Sequence, residues 1–267
     1  MKRREFIAVA CGAMVVWPLP AHAQQLEAQT RLVRDSLEVQ AETAASKITQ
    51  FIGQIEARLS SWSAYPVTEG RFNALKLMRE MSAISELYLI DGAGKIQVRV
   101  SRIPIDLAAT EKDNSRDPKF TEAMSNKFYY GPVYFRGASE ACMTLSISDT
   151  VGDAAVRVAE VSLKSIQDMM RVTKVGQHGV AYVADGNGHV FAHPDGGRVQ
   201  EDFGRLDHVR SALAAGVSPP AEAVQISHDI EGREVLVVYA PIAKRLGWLV
   251  FLELPTGEIS LRTPLTK

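Results

Sequence analysis

From Leu26 to Trp62 the apolar positions Val33, Leu37, Ala41, Ala44, Ile48, Phe51, Ile55, Leu59 and Trp62 recur in alternating steps of three and four. The stretch holds no proline and a single glycine, so the spacing predicts one long amphipathic helix. At 1.5 Å per residue it would reach about 55 Å, more than one compact domain covers. Its stripe then meets a second helix in a homodimer, lies along two successive domains of its own chain, or does both.

Beyond Tyr65-Pro66, which ends that helix, a short helix is predicted over 71–82. The period then drops to two. "ELYLIDGAGKIQVRVS" reads as two strands about a DGxG turn, where aspartate and glycine tolerate positive φ. A polar loop, a brief helix "PKFTEAMSN", the strands "FYYGPVYF", "ACMTLSISDTV" and "AVRVAEVSL", and a helix "SIQDMMRV" follow. The second half repeats this order. "GVAYVADGNGHVFAHPD" gives strand, turn and strand, the segment from Arg198 to Ala215 is partly helical, and "AVQISHDIEG", "REVLVVYAPI" and "GWLVFLELP" supply three strands. Within a residue, the same separation relates Asp91 to Asp185 and Glu160 to Glu253. The fold class is therefore α+β: a long helix and two similar units, each an antiparallel sheet with helices on it.

Composition narrows the picture little. The chain has 267 residues, 46% hydrophobic and 23% charged, and a formal net charge of −1, which gives no reason to expect nucleic acid as a partner. The first residues are more telling: Lys2, Arg3 and Arg4, an apolar run from Phe6 to Leu19, then Ala21-His22-Ala23. This is an export signal over 1–23, cleaved near Ala23, and places the protein in the periplasm. The Arg3-Arg4-Glu5-Phe6-Ile7 order is that of the twin-arginine type, with an ordinary Sec signal as the alternative. Cys142 alone remains after cleavage, so no internal disulfide forms, and a buried apolar cysteine is expected. "LVVYAPIAKRLGWLVFLEL" is broken by Lys244 and Arg245 and does not span a membrane.

The stretches "KFYYGPVYFRGASEACMTLSIS", "VRVAEVSLKSIQDMM", "KVGQHGVAYVADGNGHVFAHPD" and "GWLVFLELP", behind a long leading helix, resemble the double Cache family of bacterial extracytoplasmic sensor domains. That resemblance implies two PAS-like modules, a membrane-distal type over 66–172 and a membrane-proximal type over 173–267, after a helix over 24–65. It also implies a small ligand in the first module. Family members normally lie between membrane helices. Here a cleavable signal stands in place of the first, and no second helix or signalling domain is read before Lys267. The expectation is a sensor without its own anchor or output, read by a separate membrane-bound partner. In the amino-acid-binding branch an arginine and a Trp-Tyr pair precede a short helix. Here "SRDPKFTEA" aligns Arg116 with the arginine, Lys119 with the tryptophan and Phe120 with the tyrosine. Tyr134 matches a later pocket tyrosine, and Glu160 stands where that branch carries aspartate.

On a strand His189 and His193 of "HVFAH" share a face but lie about 13 Å apart, too far for one ion. His193-Pro194-Asp195 therefore reads as a strand-end turn. Asp91 and Asp185 fall in separate units, so they cannot serve as paired acids. The chain contains no GxSxG, HExxH, P-loop or CxxCH. Neither catalysis, a cofactor nor a metal is expected. The binding candidates are Tyr129, Tyr130 and Tyr134 as amphipathic surfaces, Phe120 beside them, Arg116 for a ligand carboxylate, and Asp149 or Glu160 for an ammonium group. Glu160 interrupts the apolar run "VRVAEVSL", and a buried acid needs a partner. The expected ligand is a small polar metabolite that bears a carboxylate. Rival readings are an exported enzyme, a decayed receptor fragment without ligand, and a purely structural dimer.

Overall fold

The structure, a computed structural model, describes residues 21–62, 69–103, 113–137, 139–148, 155–216, 224–243 and 245–261. The expected export signal lies almost wholly outside them. Helix α1 (Ala21–Ser61) starts earlier than the apolar spacing predicts, and α2 (Gly70–Glu80) follows. The first sheet contains β1 (Ile84–Ile90), β2 (Ile96–Ser101), β3 (Phe128–Tyr130), β4 (Tyr134–Arg136), β5 (Glu140–Ser148) and β6 (Val156–Ser162), with α3 (Pro118–Asn126) between β2 and β3. Helix α4 (Lys164–Val172) leads to the second sheet, β7 (Val180–Ala184), β8 (Val190–Ala192), β9 (Val224–His228), β10 (Glu234–Ile242) and β11 (Trp248–Pro255). Helix α5 (Asp207–Ala215) lies between β8 and β9, and α6 (Thr256–Leu261) follows β11.

Both sheets are antiparallel and run in the same order. The first is β2-β1-β6-β5-β3, with β4 also pairing β5, and the second is β8-β7-β11-β10-β9. In each unit the opening hairpin joins the last strand and the third strand forms the far edge. The α+β expectation of a long helix and two similar sheet units is met. One strand differs: "FYYGPVYF" is not continuous but splits into β3 and β4, both on the edge of β5. Pro132 has no N–H to give the ladder, and at Gly131 the backbone lies so close to β5 that an added Cβ would stand 3.2 Å from Thr144 Cβ.

The two hairpins share one construction. Asp91 Oδ1 accepts from the N–H groups of Ala93 and Lys95, each at 2.9 Å, and Asp185 Oδ1 from those of Asn187 and His189, each at 2.9 Å. Gly94 (φ 81°) and Gly188 (φ 87°) take the left-handed conformation that glycine tolerates. A Cβ on Gly94 would lie 2.4 Å from Ser115 N, and one on Gly188 2.6 Å from Gly204 Cα, so in both units the turn packs directly on the loop before the next helix. Both aspartates are turn residues.

The predicted stripe of α1 is buried: Leu37, Ala41, Ala44, Ile48, Ile55, Leu59 and Trp62 join Ile52 in one cluster with residues of both sheets. The helix packs on β10 and β11 and also on β5 and β6. One of the two expected explanations for its length is seen: it covers two successive units of its own chain. Each sheet has a second face away from α1, with its own smaller cluster. Among the described residues no helix is long and apolar enough to cross a membrane.

Candidate ligand-binding site

On the first sheet, the face turned from α1 holds a cavity of about 330 Å³ between the strands and α3. Its chemical centre is Glu160 on β6. Pairing sets Glu160 opposite Thr144 of β5 and opposite Glu86 of β1. Two carboxylates directly across a ladder repel. Glu86 is relieved by an ion pair with Arg99 of β2. Glu160 instead meets hydroxyls: Tyr88 Oη donates to Oε1 at 3.0 Å, Tyr134 Oη to Oε2 at 2.6 Å, and Thr144 Oγ1 lies 3.1 and 2.9 Å from the two oxygens. Among the described residues it has no cationic partner.

The cavity's other cations carry their own acidic or polar neighbours. Lys119 Nζ is 3.2 Å from Asp117 Oδ2 and 5.3 Å from the centre of the Tyr88 ring. Arg136 Nη2 donates to Ser85 Oγ at 3.0 Å, with Nη1 3.9 Å from Glu140 Oε2. Burial, reinforced by the Glu160 charge and hydrogen bond, raises the phenols of Tyr88 and Tyr134 well above the ordinary value, so both remain protonated donors. Behind Tyr134, Cys142 is fully buried and burial pushes its thiol up to about 11. It is an inert packing residue.

The expected site residues divide. Tyr134 and Glu160 line the cavity together. Tyr129 lies on the same face of the sheet, packed beside the Tyr88, Ile90 and Phe120 cluster. Phe120 is a buried core residue there. Tyr130 is turned to the opposite face, because neighbours on a strand alternate. There its hydroxyl donates to Glu56 of α1 at 2.7 Å and accepts from Arg245 at 3.4 Å, and burial, with the Glu56 charge, pushes it up to about 12. Arg116 is exposed beside Asp113 and does not line the cavity. Asp149 lies outside the described residues. Tyr88, Thr144, Glu86, Arg99, Lys119 and Arg136 escape the sequence candidates. The one signal for Tyr88 was the tyrosine that opens both "YLIDGAG" and "YVADGNG".

The second sheet holds the same pair in the same diagonal register. Glu160 is opposite Glu86 with Tyr88 two residues on, and Glu253 is opposite Val180 with Tyr182 two residues on. Tyr182 Oη donates to Glu253 Oε1 at 2.8 Å. Here the space is filled. His208 of α5 places Nε2 3.0 Å from Tyr182 Oη and 2.9 Å from Glu253 Oε1, and Nδ1 3.1 Å from Ser227 Oγ. Phe203 and Phe251 pack on the Tyr182 ring with centroids 5.1 Å away. His193 ends β8 in a turn, its Nδ1 accepting from Asp195 N–H at 3.0 Å, and burial lowers its pKa. His189 is exposed beside Asp185.

A family model for the Cache domain matches residues 22–263. No curated protein matches the sequence. Among solved structures, the ligand-binding domain of the amino acid chemoreceptor PctC of Pseudomonas aeruginosa PAO1, in complex with GABA, aligns with a TM-score of 0.65 at 14% identity, over 82% of this chain and 98% of that one. The ligand-binding domain of the Pseudomonas fluorescens chemoreceptor CtaA with L-isoleucine aligns at 0.64 and 14% identity, over 90% and 99%. The extracellular domain of mmHK1S-Z2 aligns at 0.63 and 15% identity, over 86% and 99%. At such identities the likeness is one of fold.

Proposed function

The chain belongs to the Cache domain family, and from that premise we propose that its first module is a sensor site for a small polar metabolite carrying a protonated amine. The observation that carries this reading is Glu160: a carboxylate in a cavity wall, fixed by three hydroxyl donors, beside a second carboxylate, and met by no cation among the described residues. An ammonium group seated there supplies the missing charge and donates to oxygens that the hydroxyls leave with free lone pairs. Lys119 and Arg136, at the same cavity, suit a carboxylate at the ligand's other end. The amine ligands of PctC and CtaA, GABA and L-isoleucine, support the same class.

The module does no chemistry in this reading. It acts through differential affinity for two arrangements of α1 and the sheets, read by a separate membrane-bound partner in the periplasm. Exposed Leu32 and Val39 on α1 support a second helix there, as in a homodimer. The test is a thermal-shift panel of amino acids, simple amines and amine-free carboxylates. Amine-bearing members should raise the midpoint by about 5 °C at 100-fold their Kd, and Glu160→Gln should abolish the shift. Stabilisation by amine-free acids alone, or an undiminished shift in Glu160→Gln, would overturn the reading.

A further inference from the structure

The tyrosine–glutamate pair occurs twice, and in the second module something already occupies it. We propose that His208 is a built-in ligand: its imidazole fills a duplicate of the Glu160 site, so the second module is a permanently occupied binding site for an imidazole-like nitrogen donor.

Three observations converge. The receiving groups correspond, since Tyr182 and Glu253 take the register of Tyr88 and Glu160 and form the same hydrogen bond, at 2.8 and 3.0 Å. The occupant behaves as a bound heterocycle would: both ring nitrogens are within 3.1 Å of a partner, and the residue is 1% exposed. The occupant is also supplied from the place where the first module leaves its cavity open. His208 and Lys119 are each the second residue of a nine-residue helix that follows the hairpin. Lys119 lies over the Tyr88 ring and pairs with Asp117. His208 reaches the carboxylate itself.

A carboxylate this deeply buried needs more than one donor, and an empty site would leave Glu253 Oε1 with the Tyr182 hydroxyl in place of two donors. Removing the imidazole should therefore leave a site that free imidazole re-enters. His208→Ala should melt below wild type, and imidazole should raise its midpoint by about 3 °C more than that of wild type at ten times its Kd. In the double variant with Glu253→Gln that extra gain should vanish, because the carboxylate is what receives the ring nitrogen, whereas a gain from filling the void alone would survive. Should His208→Ala fail to hold its fold, the yield of refolding with and without imidazole reads the same comparison. Equal shifts in wild type and variant, no rescue of either midpoint or refolding, or a gain that survives Glu253→Gln would each overturn the proposal. None of these readings depends on a metabolite binding the first module.

Discussion

The two modules share a frame and differ in what fills it. At corresponding register positions the first has Val158, Ser146 and Thr144, and the second has Phe251, Tyr239 and Val237. The residue whose N–H bonds the hairpin glycine's carbonyl is Asn114 in the first and Phe203 in the second, at 2.9 Å in both. Larger aromatic side chains and His208 close the second module over its glutamate. Smaller and polar ones leave the first with a cavity and a carboxylate that, among the described residues, is served by hydroxyls. A duplicated fold thus separates two tasks: one copy keeps room for a ligand, and the other spends the same space on packing.

That contrast is most easily broken at the two glutamates. Glu253→Ala takes the shared buried acceptor from both Tyr182 and His208 and should cost about 3 kcal/mol, seen as a large fall in the denaturant midpoint. Glu160→Ala, whose hydroxyl partners face an open cavity, should cost less than about 1 kcal/mol. Comparable losses would mean that both sites are core. Next in size, Gly94→Ala and Gly188→Ala should each cost about 2 kcal/mol, from positive φ and a Cβ driven into backbone. Equality of these two tests whether the hairpins are true counterparts. Tyr134→Phe should weaken metabolite binding about fivefold, the worth of one hydrogen bond, with the free protein's midpoint unchanged by calorimetry.

The smallest effect expected is in alkali. Tyr88, Tyr134 and Tyr182 have folded-state pKa values raised by burial and by their glutamates. The unfolded chain therefore loses these protons first, and stability that is complete below about pH 10 declines above it. Tyr182→Phe and Tyr134→Phe should each flatten that decline to the same extent, one proton's worth, because both phenols stay protonated in the folded state over this range. Urea midpoints between pH 9 and 11 would show it.

Much of this was legible in the sequence because it is periodic or local. The three-and-four spacing marks α1, the DGxG turns mark the hairpins, and an acid inside "VRVAEVSL" marks Glu160. What was not legible depends on pairing between distant strands. Only the register of β1 on β6 brings Tyr88 to Glu160, across 72 positions of sequence. Which of Tyr129 and Tyr130 faces the cavity is decided by the pleat, and a one-residue slip would exchange them. Arg116 matched a motif by spacing, yet the turn before α3 leaves it in solvent and directs Lys119 inward. His208 has no motif at all. Its role is visible only once the second module is laid beside the first.

The central claim, one open site and one closed, is tested most directly by calorimetric titration of the strongest amine hit into wild type, Glu160→Gln and Tyr182→Phe. The account predicts one molecule bound per chain in wild type, binding lost in Glu160→Gln, and binding unchanged in Tyr182→Phe. Two molecules per chain, or affinity that survives Glu160→Gln and falls in Tyr182→Phe, would contradict it.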